Sequence, residues 1–187
     1  MSYRILIADD EPLIRADLKE LLEELGHEVV AEAGDGREVL DLIDGVNADV
    51  VILDIKMPHI DGIRVAREIS DRFPVIILTA YTDRHLIEKA KNSGVMAYLS
   101  KPFREGDLSP AIEMAITQFL KTSKLAERVN RLQEQLESRK LIERAKGLLM
   151  TKEGLTETQA YRKLQKTSME KNRSMKEVAE AIILMMG

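Results

Sequence analysis

The sequence predicts an α/β fold: a doubly wound, five-stranded parallel sheet, followed by a long helix and a small all-α domain of three helices. Up to residue 101, short apolar runs rich in β-branched residues alternate with helical patterns, which is typical of a parallel sheet covered on both faces. The central run, 50–53, is apolar at every position, as expected for a strand that is buried on both sides. Beyond residue 105 only helical periodicity remains.

Each element follows from its own pattern. The predicted strands lie at residues 5–8, 28–33, 50–53, 75–78 and 96–99, and all except 28–33 are apolar runs. The predicted helices have apolar residues at helical spacing and lie at 13–25, 35–43, from about 61, and through Leu86, Ile87 and Ala90 to Gly94. Because crossovers between parallel strands are right-handed, this order leaves a doubly wound layout with few alternatives.

Composition excludes several kinds of protein. The chain has 187 residues, 44% of them hydrophobic and 32% charged, and its lack of cysteine excludes disulfides, thiolate nucleophiles and thiolate metal sites. No apolar run reaches the length of a membrane span, and the N-terminus begins a strand rather than a signal peptide. We therefore expect a soluble, cytoplasmic protein with no membrane partner.

The charge is unevenly distributed along the chain. Residues 139–187 contain 11 basic and 6 acidic residues, a net of +5, so residues 1–138 hold the remaining 17 and 26, a net of −9. A basic tail on an acidic body is typical of a protein whose tail binds a polyanion. Clustering of charge on solvated helix surfaces by chance explains the counts equally well.

Polar side chains follow several of the predicted strands: Asp9, Asp10, Asp54, Thr79 and Lys101. The carboxyl ends of parallel strands meet at one edge of a sheet, where ligands bind. Three clustered carboxylates require a cation, and oxygen ligands without cysteine or convergent histidine favour Mg²⁺. A carboxylate beside such an ion can act as a nucleophile toward phosphorus, while Thr79 donates to a phosphoryl oxygen and Lys101 neutralises another. The competing interpretation, ordinary acidic loop residues, does not explain complementary groups at the ends of separate strands.

With these residues in place, the first 121 residues resemble the receiver domain of two-component response regulators. The resemblance rests on order and spacing, in Asp9-Asp10, Asp54 with Met57-Pro58, Asp61-Gly62, Thr79-Ala80, Tyr98 and Lys101-Pro102-Phe103. It implies the sheet order 2-1-3-4-5.

The resemblance also implies roles for individual residues. Asp54 is implied to be the phospho-acceptor, served by a cognate sensor histidine kinase. Asp10 is implied to bind Mg²⁺ directly and Asp9 through water, with Asp54 and the backbone carbonyl of Lys56 completing the protein ligands. Thr79 and Tyr98 are implied to form a switch pair, in which Thr79 moves toward the phosphoryl group and Tyr98 turns inward.

Residues 122–138 form a predicted coiled-coil linker helix. Leu125, Val129, Leu132 and Leu136 step by four, three and four, and charged residues flank this seam. A narrow apolar seam of this kind predicts a parallel homodimer. Two heptads are marginally stable alone, so contacts between the receiver domains would have to contribute. We expect phosphorylation to strengthen the dimer. The alternative is a monomer whose long helix folds against its own tail.

Residues 139–187 contain three helical patterns. The first covers Leu141 to Met150 and is broken by Gly154, the second begins at Thr156, and the third begins at the capping-box sequence from Ser174 to Glu177. A glycine inside the first helix, Gly147, costs about 1 kcal/mol relative to alanine, which favours close approach by a backbone or phosphate. A harmless surface glycine remains the alternative.

This tail resembles the ANTAR RNA-binding domain of transcription antitermination regulators. The resemblance rests on the run from Ile142 to Met150, on 157–161, and on Leu164, Met169, 172–173 and 178–182. It implies binding of hairpin RNA in leader transcripts, which prevents terminator formation. The RNA-binding residues it implies are Ala145, Lys146, Gly147, Tyr161 and Arg173; Tyr161 as a plain core aromatic is the competing interpretation.

The sequence thus favours a phosphorylation-controlled response regulator that binds hairpin RNA and causes antitermination, rather than an enzyme. The alternative is a DNA-binding transcriptional response regulator, but residues 174–187 contain only Lys176 as a cation and would make a poor reading helix. A phosphatase-like enzyme built on Asp54 lacks a recognisable cap or substrate pocket.

Overall fold

The computed structural model describes residues 1–80 and 93–187. The predicted helix through Leu86, Ile87 and Ala90 lies outside the described residues. The chain divides into two compact units, Met1–Lys124 and Leu125–Gly187, called here the sheet unit and the helical unit.

The sheet unit contains a five-stranded, all-parallel sheet. Its strands and helices, in chain order, are β1 Arg4–Ala8, α1 Pro12–Glu24, β2 Glu28–Ala33, α2 Gly36–Leu42, β3 Val50–Asp54, α3 Gly62–Ile69, β4 Val75–Ala80 and β5 Ala97–Lys101. The strand order β2-β1-β3-β4-β5 confirms the predicted doubly wound layout. The order places β1 and β3 side by side at the centre of the sheet, so the residues that follow them lie close together.

Three strands extend further than the apolar runs predicted. β3 includes Asp54, β4 includes Thr79 and Ala80, and β5 includes Lys101. The reason is pairing: Asp54 is opposite Leu78, and Ala80 is opposite Lys101. Because the polar residues belong to the strands, the sheet's own hydrogen bonds fix their positions.

The core of the sheet unit has two parts, one on each face of the sheet. Alternate residues of each strand contribute to different parts: Leu6 and Leu53 pack with α2 and α3, whereas Ile7 and Ile52 pack with α1 and the first turns of the last helix of the unit. This is the period of two that a strand imposes on its side chains. Burial on both faces accounts for strands that are apolar throughout.

A single long helix, α4, covers Glu105–Glu153. The sequence predicted a linker helix followed by a separate helix after Ser138, but helical hydrogen bonding continues without a break, since no proline or glycine interrupts the chain between Pro110 and Gly147. Leu108, Ile112 and Ala115 pack on the sheet. Among residues 1–80 and 93–187, no helix has the length and apolarity needed to cross a membrane.

The helical unit is completed by α5 Glu157–Lys171 and α6 Met175–Met186. Gly154, at φ +68°, provides the turn after α4, and both later helices begin with complete capping boxes, Thr156 with Gln159 and Ser174 with Glu177. The predicted helix starts are therefore confirmed. Its small core consists of Ala145, Leu149, Ala160, Leu164, Val178 and Ala179.

The predicted coiled-coil seam is exposed. Leu125, Val129, Leu132 and Leu136 each keep more than half of their surface accessible. None of them belongs to the core that α5 and α6 form with α4. The alternative in which the helix folds back on its own tail is therefore wrong for these residues.

Candidate functional site

Lys101 lies between two aspartates at the carboxyl edge of the sheet. Its Nζ is 2.5 Å from Asp9 Oδ2 and 2.7 Å from Asp54 Oδ1. The three residues end or follow β1, β3 and β5, so the strand order brings them together. The other oxygen of Asp54, Oδ2, accepts a hydrogen bond of 2.6 Å from the Lys56 backbone N–H.

This group is almost completely buried. The side chains of Asp9 and Asp54 are 0% and 9% exposed, and that of Lys101 is 18% exposed. Burial raises the pKa of Asp54, with the Asp9 charge adding to the rise, although Lys101 and the Lys56 N–H act in the opposite direction. Burial works against the charged form of Lys101, but its bonds to Asp54 and Asp9 outweigh burial and raise its pKa. Lys101 is thus the group that does most to favour the ionised form of Asp54 against burial.

A second acidic group shares Asp9 with the first. One carboxylate oxygen from each of Asp9, Asp10 and Glu11 falls within 4.8 Å of the others, a spacing suited to a divalent cation. A cleft of about 290 Å³ opens over Asp10, Glu11, Asp54, Thr79 and Lys101. An oxygen-only donor set with an open side fits Mg²⁺, which binds few carboxylates and retains waters.

The start of α3 packs against the loop that follows β3. The Gly62 N–H donates to the Ile55 carbonyl at 3.0 Å, and Asp61 caps the helix by accepting from the Arg64 N–H. A Cβ at Gly62 would clash with the carbonyl of Asp54. Glycine at this position therefore allows the loop after β3 to fold tightly and keeps Asp54 at the cleft.

The predicted switch pair lies on neighbouring strands, with Thr79 in β4 opposite Ser100 and Tyr98 in β5 opposite Ile77. Thr79 is buried, and its Oγ1 donates to the Ala80 carbonyl at 3.2 Å. Tyr98 packs against the core part that includes Leu53 and Ile77, and burial raises its pKa. Its hydroxyl is buried and has no hydrogen-bond partner among the described residues.

In the helical unit, the predicted RNA-binding residues separate into two groups. Ala145 is completely buried in the core, and Lys146 is 8% exposed with its Nζ 2.9 Å from Glu143 Oε1 and 2.7 Å from Glu157 Oε1. The hydrogen bond to Glu157 is the largest cause of the raised pKa of Lys146. The structure therefore gives neither Ala145 nor Lys146 a free surface for RNA.

The other three predicted residues lie at the surface. A Cβ at Gly147 would meet nothing within 4 Å, and Tyr161 is 45% exposed and outside the core, so the competing interpretation of Tyr161 as a core aromatic is wrong. Arg173 is exposed, with its Nη1 3.3 Å from Glu177 Oε1. Gly147 and Tyr161 are thus accessible to a ligand, and Arg173 is accessible but paired.

Sequence reasoning did not find three features of these sites. Glu11 joins the acidic group, and Arg15 donates from Nη1 to the Asp9 carbonyl at 2.6 Å. The pairing of Lys146 with Glu157 was also missed. The position of Glu11 directly after Asp9 and Asp10 is a signal in the sequence, whereas the Arg15 contact and the pairing of Lys146 with Glu157 leave no sequence pattern.

Comparisons with known proteins agree with this geometry. Family models match the response regulator receiver domain over residues 5–113 and the ANTAR domain over residues 130–183. The chain is 49% identical over 186 residues to the transcriptional regulatory protein PdtaR of Mycobacterium tuberculosis, covering 98% of this chain and 91% of that protein. It is 33% identical over 116 residues to sporulation initiation phosphotransferase F of Bacillus subtilis, covering 60% of this chain and 93% of that protein.

A solved structure is similar to the sheet unit. The receiver domain of the sensor histidine kinase PA1611 from Pseudomonas aeruginosa PAO1, whose crystal structure has a magnesium ion coordinated in the active site cleft, matches with a TM-score of 0.57 and 27% identity. The match covers 63% of this chain and 99% of that chain.

The fold and its acidic edge define residues 5–113 as a receiver-type domain of the response regulator class. The whole chain belongs to the response regulators that join a receiver domain to an ANTAR domain. It is thus a regulator in its domain composition.

Proposed function

We propose that this response regulator is controlled by phosphorylation of Asp54 and that its ANTAR domain binds hairpin RNA in leader transcripts, causing antitermination. The observation that carries the first part is the position of Asp54: at the end of β3, facing the cleft, with one oxygen on Lys101. The proposed donor is a phosphohistidine of a cognate sensor histidine kinase. A carboxylate oxygen of Asp54 forms a bond to phosphorus as the phosphorus–nitrogen bond breaks, and the electron pair stays on the imidazole.

Asp9 and Asp10 are the side chains best placed to hold Mg²⁺, with Asp54 and the Lys56 carbonyl as further ligands. An ion bound there would neutralise charge on the phosphoryl oxygens during transfer. Lys101 adds a second positive charge from the chain itself. Its ammonium already lies on Asp54 and can pair with a phosphoryl oxygen as readily as with the carboxylate.

Phosphorylation would change the local charge by about −1.5 to −2 and add three acceptor oxygens. Thr79 is the nearby hydroxyl able to donate to one of them, and its present bond to the adjacent Ala80 carbonyl is weak at 3.2 Å. Movement of Thr79 would change the space beside Tyr98. The Tyr98 hydroxyl has no hydrogen-bond partner among the described residues that would hold it in its present position. Thr79 and Tyr98 are therefore the proposed switch pair.

The exposed seam of α4 supports a homodimer as the active form. Four apolar residues, Leu125, Val129, Leu132 and Leu136, lie on one stripe and remain accessible in the single chain. A dimer would bring two ANTAR domains to one transcript and raise their effective concentration. Light scattering coupled to size exclusion, with and without beryllofluoride and Mg²⁺, tests this; a monomer under both conditions contradicts it.

Two observations support the RNA-binding part of the proposal: Tyr161 is accessible, and residues 139–187 carry an excess of basic side chains. Aromatic side chains stack on unpaired bases of RNA loops, and lysine and arginine neutralise phosphates. The test is the affinity of the full chain for a synthetic RNA with two hairpins, measured with acetyl phosphate and Mg²⁺. We expect Asp54→Ala to abolish the increase in affinity on phosphorylation, while the control Asp41→Ala, an exposed α2 residue, retains it.

Equal affinity of wild type and Asp54→Ala under phosphorylating conditions would contradict phosphorylation control. Preference for duplex DNA over the hairpin RNA in a competition experiment would instead favour the DNA-binding alternative. The two results are independent of each other, so each half of the proposal can fail separately.

A further inference from the structure

Arg144 and Lys146 lie on opposite sides of α4. An α-helix turns by about 100° per residue, so positions two apart are separated by about 200° around the axis. Lys146 faces α5 and is buried, whereas Arg144 is exposed and has no ion-pair partner in the part of the chain that the structure describes. Two cations of one short sequence stretch are therefore presented to different surroundings.

The Lys146 ammonium connects two helices. It bonds Glu143 one turn earlier on α4 and Glu157 at the first residue of α5, with the Glu157 bond being 2.7 Å long. Tyr161 stands four residues after Glu157 and thus on the same face of α5, one turn further on. Because Glu157 and Tyr161 belong to one helix, a displacement of the first turn of α5 would also move Tyr161.

Glu143 and Glu157 screen the charge of Lys146 from an approaching phosphate. The side chains of Glu143 and Glu157 are 68% and 70% exposed, while that of Lys146 is 8% exposed. The three groups together carry a net charge of −1, which repels a polyanion. Reaching Lys146 would require breaking both ion pairs.

The opposite face of α4 has the properties of an anion-binding surface. Lys140, Arg144 and Gly147 follow one another at spacings of four and three, so they form one stripe. All three are exposed, and the space above Gly147 is open. No neighbouring atom of the described residues therefore blocks the approach of a nucleic-acid backbone to the helix at Gly147.

We propose that Lys146 is a positioning residue for RNA recognition, which holds α5 so that Tyr161 is correctly aimed, and that the phosphate contact on α4 is made by Arg144 beside Gly147. This inference rests on the proposed RNA-binding function of the tail. It assigns different roles to two cations that lie two positions apart in the sequence.

The test measures affinity of the full chain for the synthetic two-hairpin RNA at several salt concentrations. Loss of one phosphate contact lowers the slope of log affinity against log salt by about 0.7 to 0.9. We expect Arg144→Met to lower the slope by that amount and Lys146→Met to leave it unchanged while weakening binding about tenfold. In a double-mutant cycle, the Lys146→Met loss should disappear when Tyr161 is already alanine, whereas Arg144→Met and Tyr161→Ala should be additive.

A second variant keeps Lys146 intact and removes its partners. Glu143→Gln together with Glu157→Gln is expected to weaken RNA binding, because the clamp is lost, although two negative charges have been removed. Lys146→Arg retains a cation that can bond both glutamates and should recover most of the affinity. Circular dichroism of each variant verifies that the helices are formed.

A lower salt slope in Lys146→Met, or tighter binding by the double glutamine variant, would mean that Lys146 touches RNA and would overturn the inference. Hydrogen exchange at residues 157–161 gives a measurement that needs no RNA: faster exchange in Lys146→Met supports the clamp, and unchanged exchange contradicts it. If wild type ignores the hairpins, the proposed function fails, and the exchange experiment still decides whether Lys146 orders α5.

Discussion

Two lysines of this chain each lie between two carboxylates, and their surroundings differ. Lys101 bonds Asp9 and Asp54, whose side chains are 0% and 9% exposed, whereas Lys146 bonds Glu143 and Glu157, which are 68% and 70% exposed. At the sheet edge, burial raises the pKa of Asp54 even though a lysine contacts it. In the helical unit, the hydrogen bond from Lys146 lowers the pKa of Glu157.

The same ion-pair chemistry therefore has different consequences in different dielectric surroundings. In the buried group every charge depends on the others, because water cannot replace a missing partner. When the charge of Asp54 changes, neighbouring groups therefore have to move to restore their pairing, and such movement is what a conformational switch requires. In the helical unit both glutamates remain exposed to water, so the pairs with Lys146 join two helices at a smaller cost when one partner is lost.

The largest effect is expected for Lys101→Met, which leaves Asp9 and Asp54 buried without their cation. Breaking a buried pair in this way costs about 3 kcal/mol or more in the free energy of unfolding. Urea denaturation of the full chain, with hydrogen exchange to assign the loss to the sheet unit, measures it. Lys19→Met is the control, since it breaks only the exposed pair with Glu32; a loss no greater than in this control would contradict the distinction between the two groups.

The next effect concerns pH. Because the pKa of Asp54 is higher in the folded than in the unfolded protein, the folded state binds the proton more strongly, and stability falls as pH rises from the ordinary carboxyl range through the raised pKa. Asp54→Asn mimics the protonated form. It should therefore raise the urea midpoint at neutral pH and lose this advantage in acid; a gain that is constant with pH would show that titration of Asp54 is not the cause.

A smaller effect is expected for Lys146→Met, in the opposite direction with pH. The pKa of Glu157 is lowered in the folded state, so the stability that this pair contributes is present above the ordinary glutamate range and is lost as pH falls. Hydrogen exchange at residues 143–161 should therefore increase at neutral pH in the variant and differ little from wild type in acid. Lys152→Met, at an exposed position of α4, is the matched control.

The smallest effect is that of salt. Exposed ion pairs are screened within about 8 Å at physiological ionic strength, whereas buried pairs are screened much less. The cost of Lys19→Met, which breaks the exposed pair with Glu32, should therefore shrink as salt is raised, and the cost of Lys101→Met should persist. Equal salt sensitivity of the two costs would remove the distinction between buried and exposed pairs.

Sequence reasoning predicted most of the sheet unit because its signals are local. Apolar runs at 5–8 and 75–78 and the polar residues that follow them identify strands and their exits without knowledge of the neighbours. The same holds for the helix starts at Thr156 and Ser174, which are confirmed because each start is set by a capping box that is complete within four residues. Strand ends were predicted less well, since pairing with the next strand, not apolarity, decides how far β4 and β5 continue.

Residue roles in the tail were less accessible from sequence. Ala145 and Lys146 belong to one stretch with Arg144 and Gly147, and no pattern in that stretch separates the buried side of the helix from the exposed one. The position of α5 decides it, because Leu164 and Ala160 cover Ala145 and because Glu157 reaches Lys146. Tyr161 was left open between core and surface for the same reason.

Local patterns along the chain were enough to predict which segments form strands and which form helices, and the gathering of Asp9, Asp54 and Lys101 at one edge of the sheet. These depend on hydrophobic periodicity and on the handedness of crossovers, both of which can be read without knowing the neighbours of a residue in space. Only the tertiary structure determined which charges share a partner, how deeply each pair is buried and which face of α4 is exposed. Those properties come from contacts between residues distant in sequence, and burial of those contacts sets the strength of every charge interaction in them.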